Sequence, residues 1–227
     1  MASDESERHS RPGKATPLPE RTPEELAAIE ARNGLRQFDR MIELIDQCTG
    51  PGPRLKLRPS TIMELNRLAV EGLVEAPGAW RYVSIEITAA SHTPPDHLEV
   101  PHEIDEMCDY VRSYWSDRSP IHLSSYVMWR LNWIHPFVDG NGRTSRVASY
   151  LVLCAKLGYR LPGTKTIPER IAENKKPYYA ALEHADLAWK QGRVDVSEME
   201  KLLQQHLEAQ LADIRLQAIS GHRDDVE

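Results

Sequence analysis

Residues 135–146 place a turn between two stretches of helical apolar spacing. Upstream, Val127, Leu131 and Ile134 recur at helical intervals; downstream, Val147, Leu151, Leu153, Cys154 and Leu157 do the same. Between them stands His135-Pro136-Phe137-Val138-Asp139-Gly140-Asn141-Gly142-Arg143-Thr144-Ser145-Arg146. Proline disfavours the helical conformation of the residue before it, and Asp-Gly-Asn-Gly is ordinary turn material. The chain is therefore expected to fold back here as a helix–loop–helix, with the second helix beginning near Gly142.

The same twelve residues carry a coherent set of chemical groups. Glycines let the backbone approach a ligand closely, so the N–H groups of Gly140, Asn141 and Gly142 at a helix start can converge on one anion. Asp139 suits Mg²⁺, which takes one or two carboxylates and completes its shell with phosphate oxygens and water. Arg143 and Arg146 are three residues apart, share a helix face and can fork onto phosphate oxygens. His135 is the member of the set whose ordinary pKa suits proton abstraction near neutral pH. Each fragment alone also has a bland reading, as a helix stop, a turn or a solvated helix face. The joint arrangement favours a phosphate site beside a base.

Two other signals are weaker. Gly158-Tyr159-Arg160-Leu161-Pro162-Gly163-Thr164-Lys165-Thr166 nearly spells a P-loop, but Thr164 puts the lysine out of register and no strand precedes it. A helix C-cap at Gly158 followed by a loop is the better reading. His92, His97 and His102 suit neither one helix face nor a zinc-finger spacing, and read as loop histidines, solvated or touching a partner.

The chain has 227 residues, enough for one domain with a sizeable core. Its net charge of −6 disfavours a nucleic-acid or anionic-membrane binder, so any positive field is local to Arg143 and Arg146. Three separated cysteines, Cys48, Cys108 and Cys154, point to thiols in a reducing cytosol. With no apolar run of spanning length and no signal-peptide core, a cytoplasmic protein is expected.

Residues 1–21 are polar and proline-bearing and are expected to be a disordered tail. Thr22-Pro23-Glu24-Glu25 reads as a capped helix start, opening a segment over 22–53 that buries Leu26, Ile29, Leu35, Phe38, Met41, Ile42 and Ile45, with Gly34 as a candidate kink. A second helix is expected over about 60–75. From Trp80 to Thr88, Val83, Ile85 and Ile87 alternate with polar residues, a strand signal that a piece near Leu98 to Val100 could complete as a hairpin. Helices follow over about 102–116, 120–134, 142–157, 168–174, 177–190 and 195–218. A compact core over 54–192 and a closing helix and tail over 193–227 complete an all-α fold with one short β-hairpin.

The string from His135 to Arg146 resembles the Fic domain motif, H-x-F-x-[D/E]-G-N-G-R-x-x-R, at every specified position. The resemblance extends over roughly residues 55–190. Leu65-Asn66-Arg67-Leu68 is similar to a helix of the family, Gly78-Ala79-Trp80-Arg81 to the entry of its flap, and His92-Thr93-Pro94-Pro95 to the flap itself. Asn174-Lys175-Lys176-Pro177-Tyr178-Tyr179-Ala180-Ala181-Leu182 is similar to the segment that closes the nucleotide pocket. Tyr178 and Tyr179 either stack on adenine or pack the last helices together.

This resemblance implies transfer of AMP from ATP to a hydroxyl of a target protein. It casts His135 as general base, Asp139 as Mg²⁺ ligand, Gly140, Asn141, Gly142, Arg143 and Arg146 as phosphate ligands, and His92 to Pro95 as a clamp on the target. UMP, GMP or phosphocholine transfer, and a silent nucleotide-binding module, stay open. Many Fic proteins carry an inhibitory helix, [S/T]-x-x-x-E-[G/N]; no stretch here matches it. Leu26-Ala27-Ala28-Ile29-Glu30-Ala31 comes nearest, and on sequence grounds Glu30 reads as an exposed helix glutamate ahead of a brake. An inhibitor on a separate chain, and a homodimer through the last helix, are further expectations left open.

Overall fold

The computed structural model describes residues 20–50, 55–87, 92–163 and 165–224, with side chains as far as 213. Among them, eight helices follow in order: α1 (Pro23–Thr49), α2 (Pro59–Val70), α3 (Val100–Ser113), α4 (Pro120–Ile134), α5 (Asn141–Leu157), α6 (Ile167–Glu173), α7 (Lys176–Lys190) and α8 (Ser197–Asp224). The expected tail lies outside the described residues as far as 19.

Local chemistry sets the helix starts. Thr22 and Glu25 form a reciprocal capping box, with Glu25 N donating to Thr22 Oγ1 (3.2 Å) and Thr22 N to Glu25 Oε2 (2.8 Å). Ser119 Oγ accepts from His122 N (3.0 Å) ahead of Pro120, and Thr166 with Glu169 repeats the capping box at α6. The helix α5 ends at Gly158 in the left-handed region (φ 82°), as expected of a C-cap.

The core is built on α4 and α5, which pack along each other. Leu123, Val127, Met128, Trp129, Leu131 and Ile134 of α4 are buried on all sides, a pattern of a central helix. Each contributes about 1.5–3 kcal/mol by leaving water. Two polar side chains there bond across helices: Trp129 Nε1 donates to Asp186 Oδ1 (2.9 Å), and Ser149 Oγ to Ser124 O (2.8 Å). Arg130 pairs with Glu103 and lies over the rings of Trp133 and Trp189, at 4.1 and 4.5 Å.

Three expectations are corrected. Among the described residues no strand forms, only a lone bridge residue at Ile87. Ile85 and Ile87 are indeed buried while Tyr82, Ser84 and Glu86 face water, but the carbonyls of Val83 and Pro95 are taken by the Arg81 guanidinium and not by a ladder. Residues 97–99 turn into α3, so no second strand exists at Leu98 to Val100. In α1, Leu26 and Leu35 face solvent, whereas Asn33 and Gln37 are buried by donating to Glu71 O (2.8 Å) and Leu65 O (3.0 Å) of the α2 region. α1 runs unbroken through Gly34, where an added Cβ would meet nothing within 4 Å.

Candidate active site

His135 terminates α4. Its N–H still donates to Leu131 O (3.0 Å), but its backbone has turned left-handed (φ 50°, ψ 59°), the one non-glycine residue among those described with a positive φ. Such a conformation costs about 1–3 kcal/mol and is kept where the surroundings enforce it. The side chain is buried, with Nδ1 3.3 Å from Asn132 O. A carbonyl only accepts, so Nδ1 carries the proton and Nε2 is the basic nitrogen.

The loop beyond is closed by Asn141. Its Oδ1 accepts from Phe137 N (2.9 Å) and its Nδ2 donates to Phe137 O (2.8 Å), so both ends of the amide are engaged. Asn141 therefore shapes the loop. Gly140 (φ 77°) lies so close to α2 that a Cβ there would meet Val70 Cγ1 at 2.6 Å and Asn66 Nδ2 at 2.9 Å. Asp139 Oδ1 accepts from Gly140 N (2.6 Å) and Oδ2 from Arg143 Nη2 (2.9 Å).

α5 begins at Asn141 with no side-chain cap, and its first helical bond runs from Thr144 N to Gly140 O (2.9 Å). The N–H groups of Asn141, Gly142 and Arg143 precede that bond and form the positive end of the helix dipole. Arg143 also donates to Ala69 O (3.2 Å). Arg146 is half-buried, and among the described residues no hydrogen bond or ion pair holds its guanidinium. Burial lowers its pKa from the ordinary arginine value, the neighbouring Tyr178 and Tyr179 raise it, and Arg143 lowers it.

These groups converge on one cavity of about 260 Å³, lined by His135, Asp139, Gly140 to Arg143, Arg146, Lys175 and Tyr179 among others. Glu30 lines it too, with Oε1 3.8 Å from Arg143 Nη1. Tyr178 is fully buried, its hydroxyl 3.3 Å from Ser145 Oγ, which in turn accepts from Asn132 Nδ2 (2.7 Å). It packs the floor, leaving the half-buried Tyr179 at the rim. Among the described residues no cluster of three His, Cys, Asp or Glu could hold a metal.

The flap residues separate. His92 is buried, stacked on Trp133 (centroids 5.2 Å apart) and bonded through Nε2 to Trp133 O (2.7 Å), which corrects its reading as a solvated or partner-touching loop histidine. Pro94 is buried, Pro95 half-buried and Thr93 exposed. Sequence reasoning missed Asn66, whose Nδ2 donates to Asp139 O (2.9 Å) and Thr144 Oγ1 (3.2 Å) while Oδ1 accepts from Gly78 N (3.2 Å). A polar residue recurring on the apolar face of α2 was the available signal.

The Fic/DOC family model matches residues 56–153, the span from α2 into α5 that holds the whole loop. Over this span the chain is similar to Fic/DOC proteins. Its relatives include "Protein adenylyltransferase Fic" of Drosophila willistoni, 30% identical over 107 residues, which are 47% of this chain and 21% of that one. The same-named protein of Nematostella vectensis is 31% identical over 93 residues, 40% of this chain and 22% of that one. The matched segments thus span about a fifth of the length of these relatives. A Fido domain-containing protein of Dictyostelium discoideum is 26% identical over 129 residues, 55% of this chain and 82% of that one. Among solved structures, Fic-1 of C. elegans (residues 134–508) aligns with TM-score 0.63 at 19% identity, covering 93% of this chain and 56% of that one. A Fic domain-containing signaling protein of Bacteroides thetaiotaomicron aligns with TM-score 0.64 at 20% identity, covering 81% and 71%. The Fic fold therefore extends well past the matched segment, over α1 and the C-terminal helices.

Proposed function

We propose that the protein transfers AMP from ATP to a hydroxyl side chain of a target protein. The observation that carries this is the shared cavity: His135, Asp139, the uncapped start of α5 and the unbonded Arg146 guanidinium line one space. The adenylyltransferase name of relatives about 30% identical supports AMP as the transferred group.

In this reading the target's hydroxyl oxygen bonds to the α-phosphorus, the bond to the oxygen bridging to the β-phosphate breaks, and pyrophosphate leaves. Nε2 of His135 accepts the hydroxyl proton, held in orientation by the Nδ1 contact with Asn132 O. The N–H groups at the head of α5 stabilise charge on the phosphate oxygens, and Arg143 and Arg146 fork onto those further along the chain. Asp139 fits Mg²⁺ of the kind completed by phosphate and water, since it offers one partly exposed carboxylate. When bound there with nucleotide, the ion would offset phosphate charge. Glu30, beside Arg143, is read as a brake within the chain: its carboxylate competes with phosphate for that guanidinium.

The extended segments that end at Ile87 and begin at His92 are read as the target clamp. Added strand pairing would fix the acceptor through backbone bonds. Incubating the protein and Mg²⁺ with α-labelled ATP, UTP and GTP in parallel tests the donor. Covalent label from ATP above the others supports this reading; preferential label from UTP or GTP replaces AMP with that group.

A further inference from the structure

We infer that Arg81 is the positioning residue for His135, and that it ties the base to the target clamp; this rests on the function proposed above. Arg81 is 2% exposed, and among the described residues no carboxylate forms an ion pair with it. Burial accordingly holds its pKa below the ordinary arginine value, with the charge of Asp96 working the other way. A buried guanidinium needs compensation, and here it comes from carbonyl oxygens.

Those carbonyls belong to two groups. The first is the end of α4: Nε donates to His135 O (2.9 Å) and Nη2 to Ile134 O (3.4 Å), while the Arg81 backbone N–H donates to Pro136 O (2.8 Å). Three consecutive carbonyls around the base are thus held by one residue. The last turn of α4 contains no basic side chain, so Arg81 supplies from outside the helix both the missing donors and the positive charge favoured at a helix C-terminus. This is the contact that enforces the left-handed backbone of His135 against its cost.

The second group is the clamp. Nη1 donates to Val83 O (3.1 Å) and Nη2 to Pro95 O (2.5 Å), one on each side of the segment read as seating the target. Arg81 bridges the two with a rigid planar fork, which a lysine cannot reproduce. It touches none of the residues that grip phosphate. Its loss should therefore displace the base while leaving the nucleotide cradle intact, and a displacement of about 1 Å can cost roughly a hundredfold in rate.

The test uses the full chain and labelled ATP with Mg²⁺. Wild type is measured first: absence of transfer removes the proposed function before Arg81 is at issue. With wild type active, Arg81→Lys is expected to lower the single-turnover transfer rate about tenfold to a hundredfold. Its nucleotide Kd should stay within twofold, and Arg81→Gln should be slower still. An unchanged rate in Arg81→Lys overturns the inference, and so does a nucleotide Kd that weakens in parallel with the rate. Should neither variant fold, the Arg81 Nε–H resonance is followed in wild type and in His135→Ala. Slow exchange with solvent and a shift on replacing His135 support the link; fast exchange with no shift overturns it.

Discussion

The Glu30 carboxylate of α1 lies 3.8 Å from the guanidinium of Arg143 in the first turn of α5, at the mouth of the cavity. The pair is solvent-accessible, with Glu30 57% exposed, so its strength is that of a surface ion pair, about 0.2–1 kcal/mol. Glu30→Gln removes the competing charge while keeping helix propensity. ATP should then bind about 1.4- to fivefold more tightly, the factor that this energy corresponds to. Self-labelling at subsaturating ATP should rise with it. Unchanged affinity in calorimetric titration would return Glu30 to an ordinary helix glutamate.

Arg146 is the cavity cation without a protein partner among the described residues. A hydrogen bond to a charged group is worth about 1.5–3 kcal/mol, so Arg146→Ala should weaken ATP binding about tenfold to a hundredfold. Arg146→Lys should recover only part, because a point charge replaces the fork. A Kd for the alanine variant within twofold of wild type would place the phosphates elsewhere.

Gly140 and Gly158 separate strain from crowding. Both sit in the left-handed region, at φ 77° and 82°, but a Cβ added at Gly158 would meet nothing within 4 Å, whereas Gly140 is packed against Val70 and Asn66. Alanine at Gly158 meets the backbone cost alone, about 1–2 kcal/mol. At Gly140 overpacking adds about 1–3 kcal/mol. Thermal melts should therefore show the larger loss of Tm for Gly140→Ala; equal losses would contradict the close approach of the loop to α2.

Much of the fold was legible because its helices announce their own ends. Ser119-Pro120 and Thr22-Pro23 with Glu25 fix starts through local hydrogen bonds, which sequence displays directly. The loop from His135 to Arg146 was legible for the same reason, its groups being contiguous. The hairpin was not, because alternation reports which face is covered and says nothing about where backbone carbonyls find donors. Ile85 and Ile87 are covered as the period implied, yet an arginine side chain binds Val83 O and Pro95 O in place of a strand. Asn33 and Gln37 misled in the opposite sense: their burial depends on carbonyls of Glu71 and Leu65, remote in sequence. Asn66 and Arg81 escaped notice as site residues because each acts on backbone contributed by other elements.

On the proposed mechanism the His135 imidazole takes the proton of an acceptor hydroxyl beside bound nucleotide. The direct measurement compares wild type and His135→Ala, each with α-labelled ATP and Mg²⁺, for covalent label on the chain or on protein in lysate and for equilibrium ATP binding. General-base catalysis contributes about 10²–10⁴-fold, so label should fall below detection in His135→Ala while its Kd for ATP stays within twofold of wild type. Covalent label on His135→Ala at the wild-type rate would contradict the account.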